Sequence, residues 1–212
     1  MYVPAHFSPP DVESLHRLIA DHPLGVLITG TAGDLDANHI PFELDAKTGE
    51  HGTLRCHVAR SNPVWNEVKD GDRVLVVFRG EEAYVTPTWY PSKHEFHKQV
   101  PSWNYRVAHV HGRIKVCDDE KYVRGVVARL TRTHEATQPK PWKMTDAPPD
   151  FVEMMLNNIV GIEIEITSLT GKFKMSQNRE LRDRISLGEA LKAQGNVELG
   201  QATLDCIPES GS

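Results

Sequence analysis

The densest stretch of chemistry-bearing side chains in this chain runs from Tyr84 to Gly112, YVTPTWYPSKHEFHKQVPSWNYRVAHVHG. It holds Trp89 and Trp103, His94, His97, His109 and His111, and Lys93 and Lys98. Aromatic planes beside fixed cations in proline-stiffened loops suit a flat, anionic, heteroaromatic ligand. The rings stack on its faces while cations and amides hold a phosphate and a polar edge. A second cluster is Arg60, Ser61 and Asn62 in ARSNPVWNEV. With Asn62 as N-cap and Pro63 at the first helical position, a strand feeds a helix N-terminus here, and free amides beside a guanidinium make a phosphate cradle. An aromatic loop pinned to a barrel and an ordinary capped helix are the plainer readings of the two.

Other chemistry is thin. There is no G-x-S-x-G elbow, Walker loop or G-x-G-x-x-G, and HEFH at His94–His97 has no metalloprotease spacing. A metal site from His94, His97, His109 and His111 stays open, but no acidic or cysteine ligand stands at a recognisable spacing, so none is expected. His109 and His111 also leave haem open as another planar ligand. Cys56, Cys117 and Cys206 are odd in number and far apart, which reads as free thiols. The net charge of −5 and pI near 6.1 give no pull toward nucleic acid, and no helix-turn-helix with a basic second helix stands out. Direct DNA contact therefore finds no support in the charge. No apolar run approaches the ~20 residues that cross a bilayer, and MYVPAHFSPP lacks the order of a secretory signal, so a soluble, cytoplasmic protein is expected.

These residues need a scaffold, and the periodicity supplies one. SPPDVESLHRLIADHP predicts a short amphipathic helix with Ser8 as N-cap. LGVLITG, ANHIPFEL and TLRCHV form a β-meander, and ARSNPVWNEVKDG a short helix ending at Gly71. RVLVVFRG reads as a buried strand. In YRVAHVHGRIKV, Ala108 and Val110 face the core, leaving His109 and His111 toward a groove or interface. Val123, Val126, Val127 and Leu130 define a helix to about His134, and Phe151, Met154, Met155 and Ile159 an apolar core stripe on the next. Ile162, Ile164 and Ile166 mark a half-buried strand, Gly171 a turn, and LRDRISLGEALKAQG a last helix. Residues 1–195 are expected as a single mainly β domain with helices, with a helical insertion at about 118–159 and a partly ordered tail at 196–212.

The segments HVARSNPVWNEV, YVTPTWYPSK, VPSWNYRVAHVHG and GIEIEITSLTGKFKMSQNRELRDR together resemble the PaiB family of FMN-binding negative transcriptional regulators, over about Tyr2 to Leu191. The resemblance implies an α+β, FMN-binding split β-barrel with a helical insertion and a C-terminal helix, similar to pyridoxamine-phosphate oxidases. It also implies a homodimer with FMN at the subunit interface. By motif it assigns the phosphate to Arg60, Ser61 and Asn62, and the isoalloxazine to Asn38 and His39. Trp89, Tyr90, Ser92 and Lys93, then Trp103 and Asn104, contribute from the aromatic loop and the following strand. Lys172, Lys174, Gln177, Asn178 and Arg179 come from the late segment. Because the same barrel hosts enzymes, a flavin-dependent oxidoreductase, of the pyridoxamine-phosphate oxidase or NAD(P)H:flavin reductase kind, is the alternative to a regulator.

Overall fold

The periodicities above become seven strands and seven helices in a computed structural model that describes residues 1–7, 10–31 and 33–207. Helix α1 covers Val12–Asp21. The Asp11 carboxylate accepts from the Ser14 amide at 2.7 Å, which is cap geometry; Ser8, the expected cap, lies outside the described residues. Strands β1 (Leu24–Thr31), β2 (Asp34–Pro41), β3 (Glu43–Asp45) and β4 (Thr53–Ala59) follow. Helix α2 is only Val64–Glu67, shorter than expected. Then come β5 (Arg73–Val85), α3 (Pro91–Phe96), β6 (Ser102–Cys117), α4 (Glu120–Glu135), α5 (Pro149–Asn157), β7 (Ile159–Lys174), α6 (Leu181–Ala193) and α7 (Val197–Asp205). The sheet order is β2-β1-β5-β6-β7-β4-β3. β2 and β1, β1 and β5, β3 and β4, and β4 and β7 pair antiparallel, Cys56 standing opposite Ile162.

The chain divides into two compact units. The first comprises residues 1–18, 79–108 and 170–212, the second residues 19–78 and 109–169. In the second, Leu54, Cys56 and Val58 of β4 and Ile162, Ile164 and Ile166 of β7 are buried, as strand alternation requires. The α4 stripe is also met, with Val123, Val126 and Leu130 buried. In the first unit, Tyr90, Val85, Met175, Leu187, Leu191 and Leu199 form one apolar cluster.

Two expectations change. Gly171 makes no turn: β7 runs on to Lys174, and a Cβ at Gly171 would collide with Leu15 of α1, so glycine is required by close packing rather than by chain reversal. The stripe on α5 is not core, since Phe151, Met154 and Met155 are about half exposed and only Leu156 of that helix is buried. The segment after Gly195 includes helix α7, whose Leu199 and Thr203 are buried. The three cysteines are free, as expected.

One ion pair of the first unit sets an acid limit on stability. Arg106 Nε donates to Glu81 Oε2 at 2.6 Å, Nη2 reaches the same oxygen, and the guanidinium lies 5.7 Å from the Phe173 ring centre. Burial alone would raise the Glu81 carboxyl above its ordinary 4.5; the Arg106 bonds first, then a backbone hydrogen bond and one with Glu198, outweigh it and bring it down to about 2. A depressed carboxylate contributes stability that is complete above 4.5 and lost as pH falls toward 2. Arg106→Leu is therefore expected to cost about 1–2 kcal/mol at neutral pH, and to flatten the stability profile in that acid window, as read by urea denaturation against pH.

Candidate functional site

The residues singled out from sequence fall into one group in each unit. In the second unit, the chain turns sharply after β4: the Asn62 amide donates to the Ala59 carbonyl at 2.9 Å. Asn62 Oδ1 accepts from the Val64 amide at 3.0 Å, and Asn62 Nδ2 donates to Asn38 Oδ1 at 2.8 Å, which brings the Asn38 and Asn62 side chains together. Ser61 and His39 are exposed beside them. Arg60 is not a free cation. It forks onto Asp118 at 2.7 and 2.9 Å, and Nε donates to the Asn157 carbonyl at 2.8 Å. Those hydrogen bonds hold the Asp118 carboxyl below its usual range. The guanidinium thus ties the end of β4 to the approaches of α4 and β7, and the four-residue α2 offers no long helix dipole.

The first unit gathers the larger group. WYPSK is helical rather than loop: Pro87–Trp89 forms a 3₁₀ turn and Pro91 opens α3. Tyr90 is buried, its hydroxyl 3.2 Å from Ser176 Oγ, which donates to Asn104 Oδ1 at 3.1 Å. Asn104 is fully buried and its Nδ2 has no partner among the described residues. The Ser92 amide and hydroxyl donate to Asp183 at 3.0 and 2.5 Å. Gln99 Nε2 donates to Ser92 Oγ at 2.8 Å, and Arg179 Nη1 to Gln99 Oε1 at 2.5 Å, with the guanidinium 5.4 Å from the Tyr90 ring centre. Lys174 donates to Ser102 Oγ and, at 2.6 Å, to the Trp103 carbonyl. Lys172 is buried among the rings of Tyr2, Phe7 and Tyr105, 5.3–5.8 Å from their centres. Gln177 folds back onto the Met175 amide and Phe173 carbonyl. Asn178 is exposed, and Lys93 half-buried. Trp89 packs on the apolar cluster, and Trp103 is exposed with its ring edge-on to Tyr84 at 6.0 Å.

The electrostatics of this group point one way. Lys172, Lys174 and Arg179 have no carboxylate partner among the described residues. Burial, then the charges of Lys172 and Arg179, push the Lys174 ammonium down. A site of three cations and an unpaired amide N–H, without a counter-charge, has the donor chemistry of a phosphate receptor. Sequence reading missed Gln99, Ser102 and Asp183, which carry no motif and show their roles only through partners distant in the chain. Among the described residues no three His, Cys, Asp or Glu side chains gather as a metal site, and no helix is long and apolar enough to cross a membrane.

Residues 1–168 match the family model described as "Putative FMN-binding domain". An uncharacterized protein of Emericella nidulans is 33% identical over 246 aligned residues, spanning 100% of this chain and 98% of its own. Protease synthase and sporulation protein PAI 2 of Bacillus subtilis is 27% identical, over 95% of this chain and 94% of its own. Among solved structures, the flavocytochrome Anf3 of Azotobacter vinelandii superposes with a TM-score of 0.59 at 11% identity, over 82% of this chain and 72% of that one. That likeness establishes the fold as the flavin split-barrel type, as expected.

Proposed function

We propose, from the premise that this chain belongs to the PaiB-type family of FMN-binding proteins, that it acts as a homodimeric flavoprotein regulator whose FMN phosphate is held by Lys172, Lys174 and Arg179. The observation that carries the phosphate assignment is the missing counter-charge: these cations stand together without a carboxylate partner among the described residues, whereas Arg60 is already paired with Asp118. Asn104 Nδ2 offers the further donor for an oxygen of the ligand, and the exposed Trp103 ring a surface for stacking. Bound FMN supplies redox chemistry at its ring system. The chain contributes charge, orientation and exclusion of water from the Tyr90–Ser176–Asn104 network, all three of which are buried.

The regulatory reading rests on the family resemblance and on the Bacillus relative, whose name ties that protein to protease synthase and sporulation. With a net charge of −5, negative transcriptional regulation is exerted through a partner or a small patch on the dimer face. Purified protein tests each part. One FMN per chain by flavin absorbance, and twice the chain mass by light scattering, are expected. Failure to bind FMN removes the cofactor reading, and a monomer removes the dimer. Steady oxidation of NADH or NADPH in the presence of FMN would replace the regulator with an oxidoreductase. A tight, salt-sensitive gel shift of promoter DNA would replace partner-mediated regulation with direct DNA binding.

The phosphate assignment also has a pH signature. An anion at Lys174 favours the protonated ammonium, so the complex takes up protons wherever the free protein has lost that proton. FMN affinity is expected to fall as pH rises through the lowered Lys174 value toward 10.5, and Lys174→Ala to abolish that alkaline limb.

A further inference from the structure

The Lys172 ammonium is surrounded by rings. The centres of Phe7, Tyr2 and Tyr105 lie 5.3, 5.7 and 5.8 Å from it. The side chain is buried, yet among the described residues its Nζ meets no hydrogen-bond acceptor and no carboxylate, and it is not sealed from solvent. Two of the three rings come from the seven residues ahead of α1. The Phe7 amide donates to the Pro4 carbonyl at 2.9 Å, and this turn folds the Phe7 ring inward, where it is buried. Tyr2 lies on the other side of the turn and is 81% exposed. Gly171 permits the arrangement. With no Cβ it lets Leu15 of α1 and Pro10 pack hard against β7 one residue before Lys172, so the chain leading into α1 runs beside that lysine.

Rings and carboxylates treat an ammonium differently. A carboxylate neutralises it, whereas an aromatic face attracts it through the ring quadrupole and leaves its charge in place. The rings also displace water from one side of the ammonium, and in that lower dielectric its attraction for an anion on the open side is stronger than in solvent. Ring faces are poor hydrogen-bond acceptors, so the N–H donors of Lys172 remain for a phosphate oxygen. With most of its surface exposed, Tyr2 adds little to the core, and the charged group that its ring meets is Lys172.

We propose that residues 1–7 form a strap that completes the anion site of the first unit: Tyr2 and Phe7 hold the Lys172 ammonium in place for a phosphate group and so set the preference of the site for a flavin phosphate over an uncharged flavin. Both are positioning residues, since they act through Lys172. The inference rests on the assignment of the FMN phosphate to Lys172, Lys174 and Arg179, and it adds two residues from the opposite end of the chain that no motif marks.

The test is fluorescence titration of the full chain with FMN and with riboflavin, which differ only in the phosphate. Tyr2→Ala, at an exposed position that leaves the core intact, is expected to weaken FMN about 2- to 5-fold, the range of one exposed cation–π contact, and to leave riboflavin unchanged. Tyr2→Phe keeps the ring and is expected to match the wild-type chain. In a Lys172→Met background, which keeps the stem without the charge, Tyr2→Ala is expected to have no further effect, because the ring acts through the ammonium. A wild-type chain that binds FMN no more tightly than riboflavin, or binds neither, overturns the phosphate assignment and the strap with it. Four results overturn the strap alone: FMN affinity unchanged in Tyr2→Ala, an equal loss for both flavins, a Tyr2→Phe chain as weak as Tyr2→Ala, or a loss that persists in the Lys172→Met background.

Discussion

Lys174→Ala is expected to weaken FMN binding by roughly 10- to 100-fold, the range set by losing one charge-assisted contact to a phosphate. The side chain is fixed before any ligand arrives, because its ammonium already donates to Ser102 Oγ and the Trp103 carbonyl. Little rotamer entropy remains to be lost on binding, so most of the electrostatic attraction is kept. Removing Lys174 relieves repulsion from Lys172 and Arg179 while giving up its bonds to Ser102 and Trp103, so the stability of the free protein should change little while its affinity falls. Arg60→Ala is expected to do the opposite. Its guanidinium bonds Asp118 and the Asn157 carbonyl, so the loss appears as a lower melting temperature with a small change in flavin affinity. Fluorescence titration of FMN beside thermal melts separates the two. The reverse pattern, with affinity lost in Arg60→Ala and kept in Lys174→Ala, moves the phosphate to the turn after β4.

That contrast shows what local sequence carries and what it does not. Ala108 and Val110 inside β6, and Ile162, Ile164 and Ile166 inside β7, follow from a period of two that the residue types display directly. The 2.8 Å bond between Asn62 and Asn38 joins residues 24 apart in the chain, which no local pattern announces. The pairing of Arg60 has no such signal, because Asp118 lies 58 residues further on and an arginine before a capped helix reads the same whether free or paired. On α5, Phe151, Met154 and Met155 keep helical spacing, yet that pattern states only that the residues share a face; whether the face meets the core or a hollow depends on what packs opposite. Gly171 is the same lesson for the backbone, since the Leu15 side chain that excludes a Cβ there comes from the other end of the chain.

The buried carboxyl of Asp183 was equally illegible, and its removal is expected to have the largest effect on stability. Asp183 reads as an acid in the first turn of α6, where the helix dipole favours it on any surface. In the fold it is fully buried, and it accepts both the amide and the hydroxyl of Ser92, itself 2% exposed. Asp183→Ala leaves two buried donors without acceptors, at a cost of about 2–4 kcal/mol, a large share of the 5–15 kcal/mol that separates a typical native domain from its unfolded chain. Asp183→Asn keeps the shape and one acceptor oxygen, so about half that loss is expected. The consequence reaches the cofactor although Asp183 touches no ligand: Ser92 Oγ positions Gln99, and Gln99 Oε1 positions Arg179. Urea denaturation and FMN titration of the two variants are therefore expected to move together, the alanine further than the asparagine. A stability loss below about 1 kcal/mol in Asp183→Ala would show that water replaces the carboxyl, and an unaltered flavin affinity that Arg179 is oriented without it.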